Sequence, residues 1–210
     1  MPGKVQGKPS IVDDKNKHGV LAAKVQAWLR ESAGIKMDIA KGGEVLDGIV
    51  AAAAMIVECY EEGGKVAFFG NGGSAADAQH LACELVSKFR LERKALGAIA
   101  FTTDTSILTA IPNDYSFENI FVRQLEALMR KGDVVVGIST SGNSPNVLKA
   151  LAKAKELGIG TIGLSGAGGK LPEVVDVAIK VPSKDTPRIQ ESHIAIGHII
   201  CDLVESEMFG

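Results

Sequence analysis

Two short segments carry residue types able to hold a small anion without a formal positive charge. Phe69-Gly70-Asn71-Gly72-Gly73-Ser74 places three glycines in four consecutive positions, which lets a backbone approach a ligand closely and adopt positive φ where needed. Ile138-Ser139-Thr140-Ser141-Gly142-Asn143-Ser144 offers four hydroxyls, from Ser139, Thr140, Ser141 and Ser144. Hydroxyls and backbone N–H groups together can grip a phosphate with neutral donors. Either loop alone would also read as a tight turn with a helix cap. Neither matches the GxGxxG dinucleotide fingerprint or the P-loop, so ATP and NAD are poor candidates and a small phosphorylated metabolite fits better.

Beyond the first loop, His80 and Glu84 stand four residues apart, one turn apart on one helix face. Such a pair can share a divalent metal or move a proton. Near the carboxyl end, Arg188-Ile189-Gln190-Glu191-Ser192-His193 continues to His198 among apolar residues. A histidine on an apolar face is more often a satisfied core residue than a ligand; two on one helix weaken that reading.

The elements that must position these groups follow from periodicity. Helical spacing of Leu, Val, Ile and Ala predicts helices at 20–30 and 43–62, with Gly63-Gly64 as a stop. Short apolar runs at 66–69, 97–101, 134–138, 161–164 and 177–181 then alternate with helical segments at 75–89, 105–111, 117–129 and 146–156. Strands apolar throughout are covered on both faces, and helical crossovers make the sheet parallel. The expectation is an α/β, three-layer αβα sandwich on a five-stranded parallel sheet, doubly wound, with additional N-terminal helices and a closing helix at 188–207. Both candidate loops fall where a strand ends and a helix begins, the position at which such sheets bind ligands.

Composition narrows the class further. The chain has 210 residues, 23 Lys plus Arg against 25 Asp plus Glu, and no long block of one sign, so a broad nucleic-acid surface is not expected. Cys59, Cys83 and Cys201 are odd in number and far apart, which argues for a reducing compartment rather than a disulfide framework. Residues 1–17 are polar and aperiodic and read as a flexible tail ahead of a single domain at 18–210. With no signal-like or membrane-spanning stretch, the expectation is a cytoplasmic protein that binds neither nucleic acid nor membrane. The surplus helices would suit self-association.

Phe68-Phe69-Gly70-Asn71-Gly72-Gly73-Ser74-Ala75-Ala76-Asp77-Ala78-Gln79-His80, Ser139-Thr140-Ser141-Gly142-Asn143-Ser144 and Arg188-Ile189-Gln190-Glu191 through Gly197-His198 resemble, in order and spacing, the phosphoheptose isomerases of the sugar isomerase (SIS) domain family, from about residue 35 to the carboxyl end. The resemblance implies a flavodoxin-like SIS domain, a homotetramer, and conversion of sedoheptulose 7-phosphate to D-glycero-D-manno-heptose 7-phosphate at the start of bacterial ADP-heptose or GDP-heptose biosynthesis, which feeds surface polysaccharide. It implies that Ser139, Thr140, Ser141 and Ser144 grip the phosphate, that Asn71, Gly72 and Gly73 line the sugar site, and that Asn113, Asp114, Glu84 and Gln190 also contact substrate. One zinc per subunit would be held by His80, Glu84, Gln190 and His198, with Glu84 and His198 as acid and base.

Departures from the family pattern are a longer amino-terminal tail, Cys83 where a small Ala is usual, and Pro112 where Gly is expected before Asn113. A geometric tension accompanies the metal set. Gln190 and His198 are eight residues apart, about 12 Å along a continuous helix. One metal is reached by both only if the side chains lean together, if the helix begins after Gln190, or if different subunits contribute. Two rivals use the same fold: a non-catalytic phosphosugar-binding module, such as one associating with the replication initiator, and a sugar-phosphate lyase or amino-sugar isomerase with its base elsewhere.

Overall fold

The computed structural model describes residues 15–210. Residues 1–14, most of the expected tail, lie outside the described residues. Helix α1 (Lys15–Ala40) already includes the last three residues of that expected tail and continues ten residues past the predicted end at Arg30. Gly34 within it costs about 1 kcal/mol relative to Ala, which is tolerated because Ile35 and Ile39 pack partly buried against the core. The helix stops at Gly42 and Gly43, whose φ values of 101° and 92° belong to the left-handed region. Helix α2 (Glu44–Glu61) follows.

The rest alternates as predicted: β1 (Val66–Gly70), α3 (Gly73–Val86), β2 (Ala98–Ala100), α4 (Thr105–Asp114), α5 (Ile120–Leu128), β3 (Val134–Ser139), α6 (Pro145–Glu156), β4 (Gly160–Ser165), β5 (Val177–Lys180) and α7 (Thr186–Phe209). The segment read as one helix at 117–129 divides into a 3-10 turn at Phe117–Asn119 and α5. All strand pairs are parallel, in the order β2-β1-β3-β4-β5. This is the flavodoxin-like order, whose direction of winding reverses between β1 and β3.

Strand alternation sends neighbouring residues into different layers. Val66 and Phe68 of β1 join α2, α3 and α7 in one apolar core, with Val136, Ile162 and Ile179. Ala67 and Phe69 join α5 and α6 in the other, where Phe69 stacks between Phe101 and Phe121 at centroid distances of 6.0 and 5.0 Å. Among the described residues no helix is long and apolar enough to cross a membrane.

Two contacts lock α7 to α3, the helices that carry the four proposed metal-site residues. A Cβ at Gly197 would lie 2.5 Å from Leu81 Cδ2, so only glycine permits this close crossing. Just beyond the carboxyl end of α3, Arg93 and Glu205 form a buried ion pair with Nε and Oε2 3.3 Å apart. The Arg93 guanidinium also donates to the Glu84 and Leu85 carbonyls at 3.0 and 2.9 Å, satisfying acceptors that a helix end leaves free. Glu205 accepts the backbone N–H groups of Phe89, Arg90 and Leu91. Burial pushes its carboxyl up, but those three N–H donors and the Arg93 charge outweigh burial and hold it below the usual glutamate range.

Arg93→Ala is therefore expected to lower the unfolding free energy by about 3–5 kcal/mol, because it strands a buried carboxylate. Urea denaturation checks this, and a loss within about 0.5 kcal/mol, the range of an ordinary surface substitution, contradicts it. Since the folded-state pKa of Glu205 is depressed, its contribution is complete above the ordinary carboxylate range and is lost as pH falls towards the folded value. Acid unfolding of Glu205→Gln should accordingly show a shallower pH dependence than that of the native chain.

Candidate active site

The adjacency of β1 and β3 brings the two loops together. Gly70 pairs in register with Ile138, so the Gly-rich turn and the serine loop leave the same edge of the sheet side by side. Gly72, at φ 57°, makes the turn into α3. The loops are joined by a reciprocal amide pair: Asn71 Nδ2 donates to Asn146 Oδ1 and Asn146 Nδ2 donates to Asn71 Oδ1, each at 2.9 Å. Asn146 is buried at the start of α6 and its Oδ1 also accepts the Val147 N–H. Nothing in the composition of that segment singled out Asn146.

Within the serine loop, Ser139 Oγ lies 2.8 Å from Ser144 Oγ and 3.5 Å from Ser141 Oγ. Ser144 occupies the cap position of α6, yet its hydroxyl turns towards Ser139 and makes no capping bond. Pro145 brings no N–H to the first turn of α6 and the Val147 N–H is taken by Asn146 Oδ1, so the hydroxyls are the main donors this loop offers to another acceptor. Thr140 is half-buried beside them. Among the described residues no Lys or Arg side chain hydrogen-bonds to this loop, and the Lys170 backbone N–H donates to Asn143 Oδ1 at 3.2 Å and to the Gly142 carbonyl at 3.0 Å.

A second cluster forms where α3 and α7 face each other. His80 Nε2 is 2.8 Å from His198 Nε2 and 3.1 Å from Glu84 Oε1, and the donor atoms of all three residues lie within 4.8 Å of one another. The Phe89 ring packs against His198 at a centroid distance of 5.6 Å, which connects this cluster to the segment that Glu205 clamps. The two Nε2 atoms can share only one proton in a direct hydrogen bond, and His80 Nε2 cannot donate to Glu84 while accepting from His198. Two imidazole nitrogens and a carboxylate oxygen aimed at one point are the donor set that a divalent zinc-like cation takes.

Gln190 lies elsewhere in the site. Helix α7 is continuous from Thr186, so the helix does not begin after Gln190, and Gln190 sits about 12 Å along it from His198. Its side chain rests on the Gly-rich turn: a Cβ at Gly73 would come within 2.3 Å of Gln190 Nε2. His193 is fully buried, its Nε2 3.1 Å from the Ser165 carbonyl at the end of β4. Burial pulls its pKa down to about 4, which leaves a neutral ring donating to that carbonyl. His193 is therefore a core histidine, its Nδ1 buried without a partner among the described residues. Asn113 and Asp114 end α4, exposed, with Asn113 Nδ2 donating to Asp114 Oδ1 at 2.8 Å and no hydrogen bond to either loop. Asp77, one turn before His80, has a buried, unpartnered Oδ2, and burial raises its pKa to about 6 against the opposing pull of His80.

The SIS domain profile matches residues 34–166. The chain is 54% identical over 187 residues to the phosphoheptose isomerase of Clostridium acetobutylicum, covering 89% of this chain and 95% of that one. It is 61% identical over 170 residues to the phosphoheptose isomerase of Geotalea daltonii, covering 80% and 88%. The chain belongs to the phosphoheptose isomerase family of SIS-domain proteins. Solved phosphoheptose isomerases share its fold: that of Neisseria gonorrhoeae at a TM-score of 0.83 and 45% identity, covering 89% of this chain and 99% of the other, and that of Francisella tularensis at 0.83 and 37%, covering 88% and 98%. In this phosphoheptose isomerase Cys83 is exposed on α3 between His80 and Glu84 and outside the donor cluster.

Gly73→Ala tests the Gln190 contact. The new methyl must displace the flexible end of Gln190, and helix propensity at the first position of α3 does not suffer. The expected outcome is a loss of about 10-fold or more in turnover per KM, from misplacement of one site group, with the thermal midpoint unchanged or raised. Unimpaired turnover would remove Gln190 from the site.

Proposed function

We propose that this isomerase interconverts sedoheptulose 7-phosphate and D-glycero-D-manno-heptose 7-phosphate, supplying the nucleotide-heptose route of a bacterial surface polysaccharide. The observation that carries the reading is the convergence of His80, Glu84 and His198 where α3 and α7 face each other, in a chain that also brings together two loops suited to a neutral-donor phosphate site. A non-catalytic phosphosugar module needs the serine loop and has no use for this cluster.

Ser139, Thr140, Ser141 and Ser144 bind the phosphate with the amino terminus of α6, and Asn71, Gly72 and Gly73 line the sugar. Asn113 and Asp114 approach substrate from the end of α4. The carbonyl moves from C2 to C1 when a proton leaves C1, a cis-enediol forms, and a proton is returned to C2. Glu84 and His198 divide that proton traffic, the carboxylate and the imidazole each serving as acceptor in one direction and donor in the other. His80, Glu84 and His198, with Gln190, would hold one zinc per subunit, which when bound supplies polarisation of the carbonyl and orientation of the hydroxyls.

The separation of Gln190 from His198 on one helix supports a site completed by another copy. Exposed apolar side chains on α1, α2 and α7, including Trp28, Leu29, Val50 and Ile199, offer a surface for the homotetramer. The three cysteines are free, as suits a cytoplasmic enzyme.

Incubation with sedoheptulose 7-phosphate, followed by NMR with and without chelator and added zinc, tests the reading directly. Aldose formation that is abolished by chelator and restored by zinc is the expected result; no turnover under any metal condition would overturn it. Glu84→Gln should keep phosphate binding and lose about 100-fold or more in turnover, the scale of a lost general base. Replacing Ser139 and Ser141 together by Ala should raise KM far more than it lowers stability, and an unchanged KM would place the phosphate elsewhere.

A further inference from the structure

Helix α1 meets the rest of the chain mainly through α7, and its residues Trp28 and Glu31 reach the first turn of that helix. That turn lacks its own cap, because Asp185 precedes it without a side-chain capping bond and Pro187 contributes no N–H. In place of a cap, Arg188 Nη1 donates to both carboxylate oxygens of Glu191 at 2.8 Å. The same guanidinium reaches the Trp28 carbonyl on α1 at 3.4 Å, and its Nε lies 3.9 Å from Glu31. Lys36 donates to Ser32 Oγ at 2.8 Å, and the Ser32 hydroxyl, with the Arg188 and Lys36 charges, holds the Glu191 carboxyl below the usual range against a smaller effect of burial. The Arg188 side chain is only 14% exposed.

Gln190 leaves the same turn at a different angle, since successive residues are about 100° apart around a helix, and its carboxamide rests on Gly73. The turn is thus gripped between α1 on one side and the Gly-rich loop on the other. We infer that Arg188 is a positioning residue: by tying Glu191 and the first turn of α7 to α1, it fixes the rotation of that turn and holds the Gln190 carboxamide against Gly73 in the sugar site. The inference rests on the proposed place of Gln190 in the site and assigns α1, most of which lies before the matched SIS segment, a part in shaping it.

A double-mutant cycle separates this role from simple anchoring of α1. Arg188→Ala should lower turnover per KM by about 10- to 100-fold, the scale of a misplaced site group, and Arg188→Lys should recover part of it. In a Gln190→Ala background the same change should have little further effect, because Arg188 acts through Gln190; multiplicative losses would overturn the inference. Should Arg188→Ala not fold, Glu191→Gln replaces it in the cycle. Crystal structures of Glu191→Gln and of the native chain provide a readout independent of turnover. Displacement of Gln190 from Gly73 is expected, and Gln190 unmoved in the variant would refute the positioning role. If the native chain turns over no heptose phosphate, the isomerase reading fails by itself and the crystallographic comparison still decides the role of Arg188.

Discussion

Everything proposed for the site depends on one pairing, that of β1 with β3. The chain passes from β1 through α3 to an edge strand, β2, and returns through α4 and α5 to place β3 on the other side of β1. Two strand-to-helix turns that are 70 residues apart in sequence therefore open next to each other. Backbone pairing sets their separation, but it does not set their orientation. The reciprocal amide bonds of Asn71 and Asn146 do so, with both amides partnered in a place where an unpartnered buried amide would cost about 1–3 kcal/mol. Those bonds turn two independent loops into one rigid surface.

The second constraint is the crossing of α3 and α7, because His80 and Glu84 belong to one and His198 to the other. Three donor atoms within 4.8 Å require helix positions set to a fraction of an ångström. Gly197 against Leu81 sets the approach, and the Arg93–Glu205 pair holds the end beyond Glu84. Burying two charges is unfavourable unless hydrogen bonds satisfy their remaining atoms. Here the carboxylate takes three backbone N–H groups and the guanidinium two carbonyls of α3, so the pair is tied to the backbone that must be positioned. A hydrophobic replacement of similar volume could match its stability without fixing the helix ends in the same way.

Much of this architecture was legible because its signals are local. Continuous apolar runs between helical segments gave the parallel sheet, and Gly70 to Ser74 and Ser139 to Ser144 announced themselves by composition. His80 and Glu84 were legible as one helix face. Asn146, Arg93 and Glu205 were not, since each depends on a partner 75 or more residues away in the chain and resembles any surface polar residue when read alone. The end of α1 was missed for a different reason: the apolar spacing read over 20–30 lapses after Arg30, and tertiary packing of Ile35 and Ile39 carries the helix on to Ala40. His193 shows the reverse case, one of two histidines on the closing helix that weakened the core reading, whose burial against Ser165 makes it structural.

The absence of Lys and Arg side chains from the hydrogen bonds of the serine loop has a chemical logic in the proposed reaction. Ser139, Ser141 and Ser144 already bond one another, so their hydroxyls are held in place before a ligand arrives and need only turn their protons outward to donate to phosphate oxygens. A loop built of such fixed, neutral donors orders a phosphate without first immobilising a long charged side chain, whose lost rotamer freedom would cost up to about 2 kcal/mol. In the proposed reaction that pre-organisation holds the far end of the sugar while the proposed acid and base act on C1 and C2.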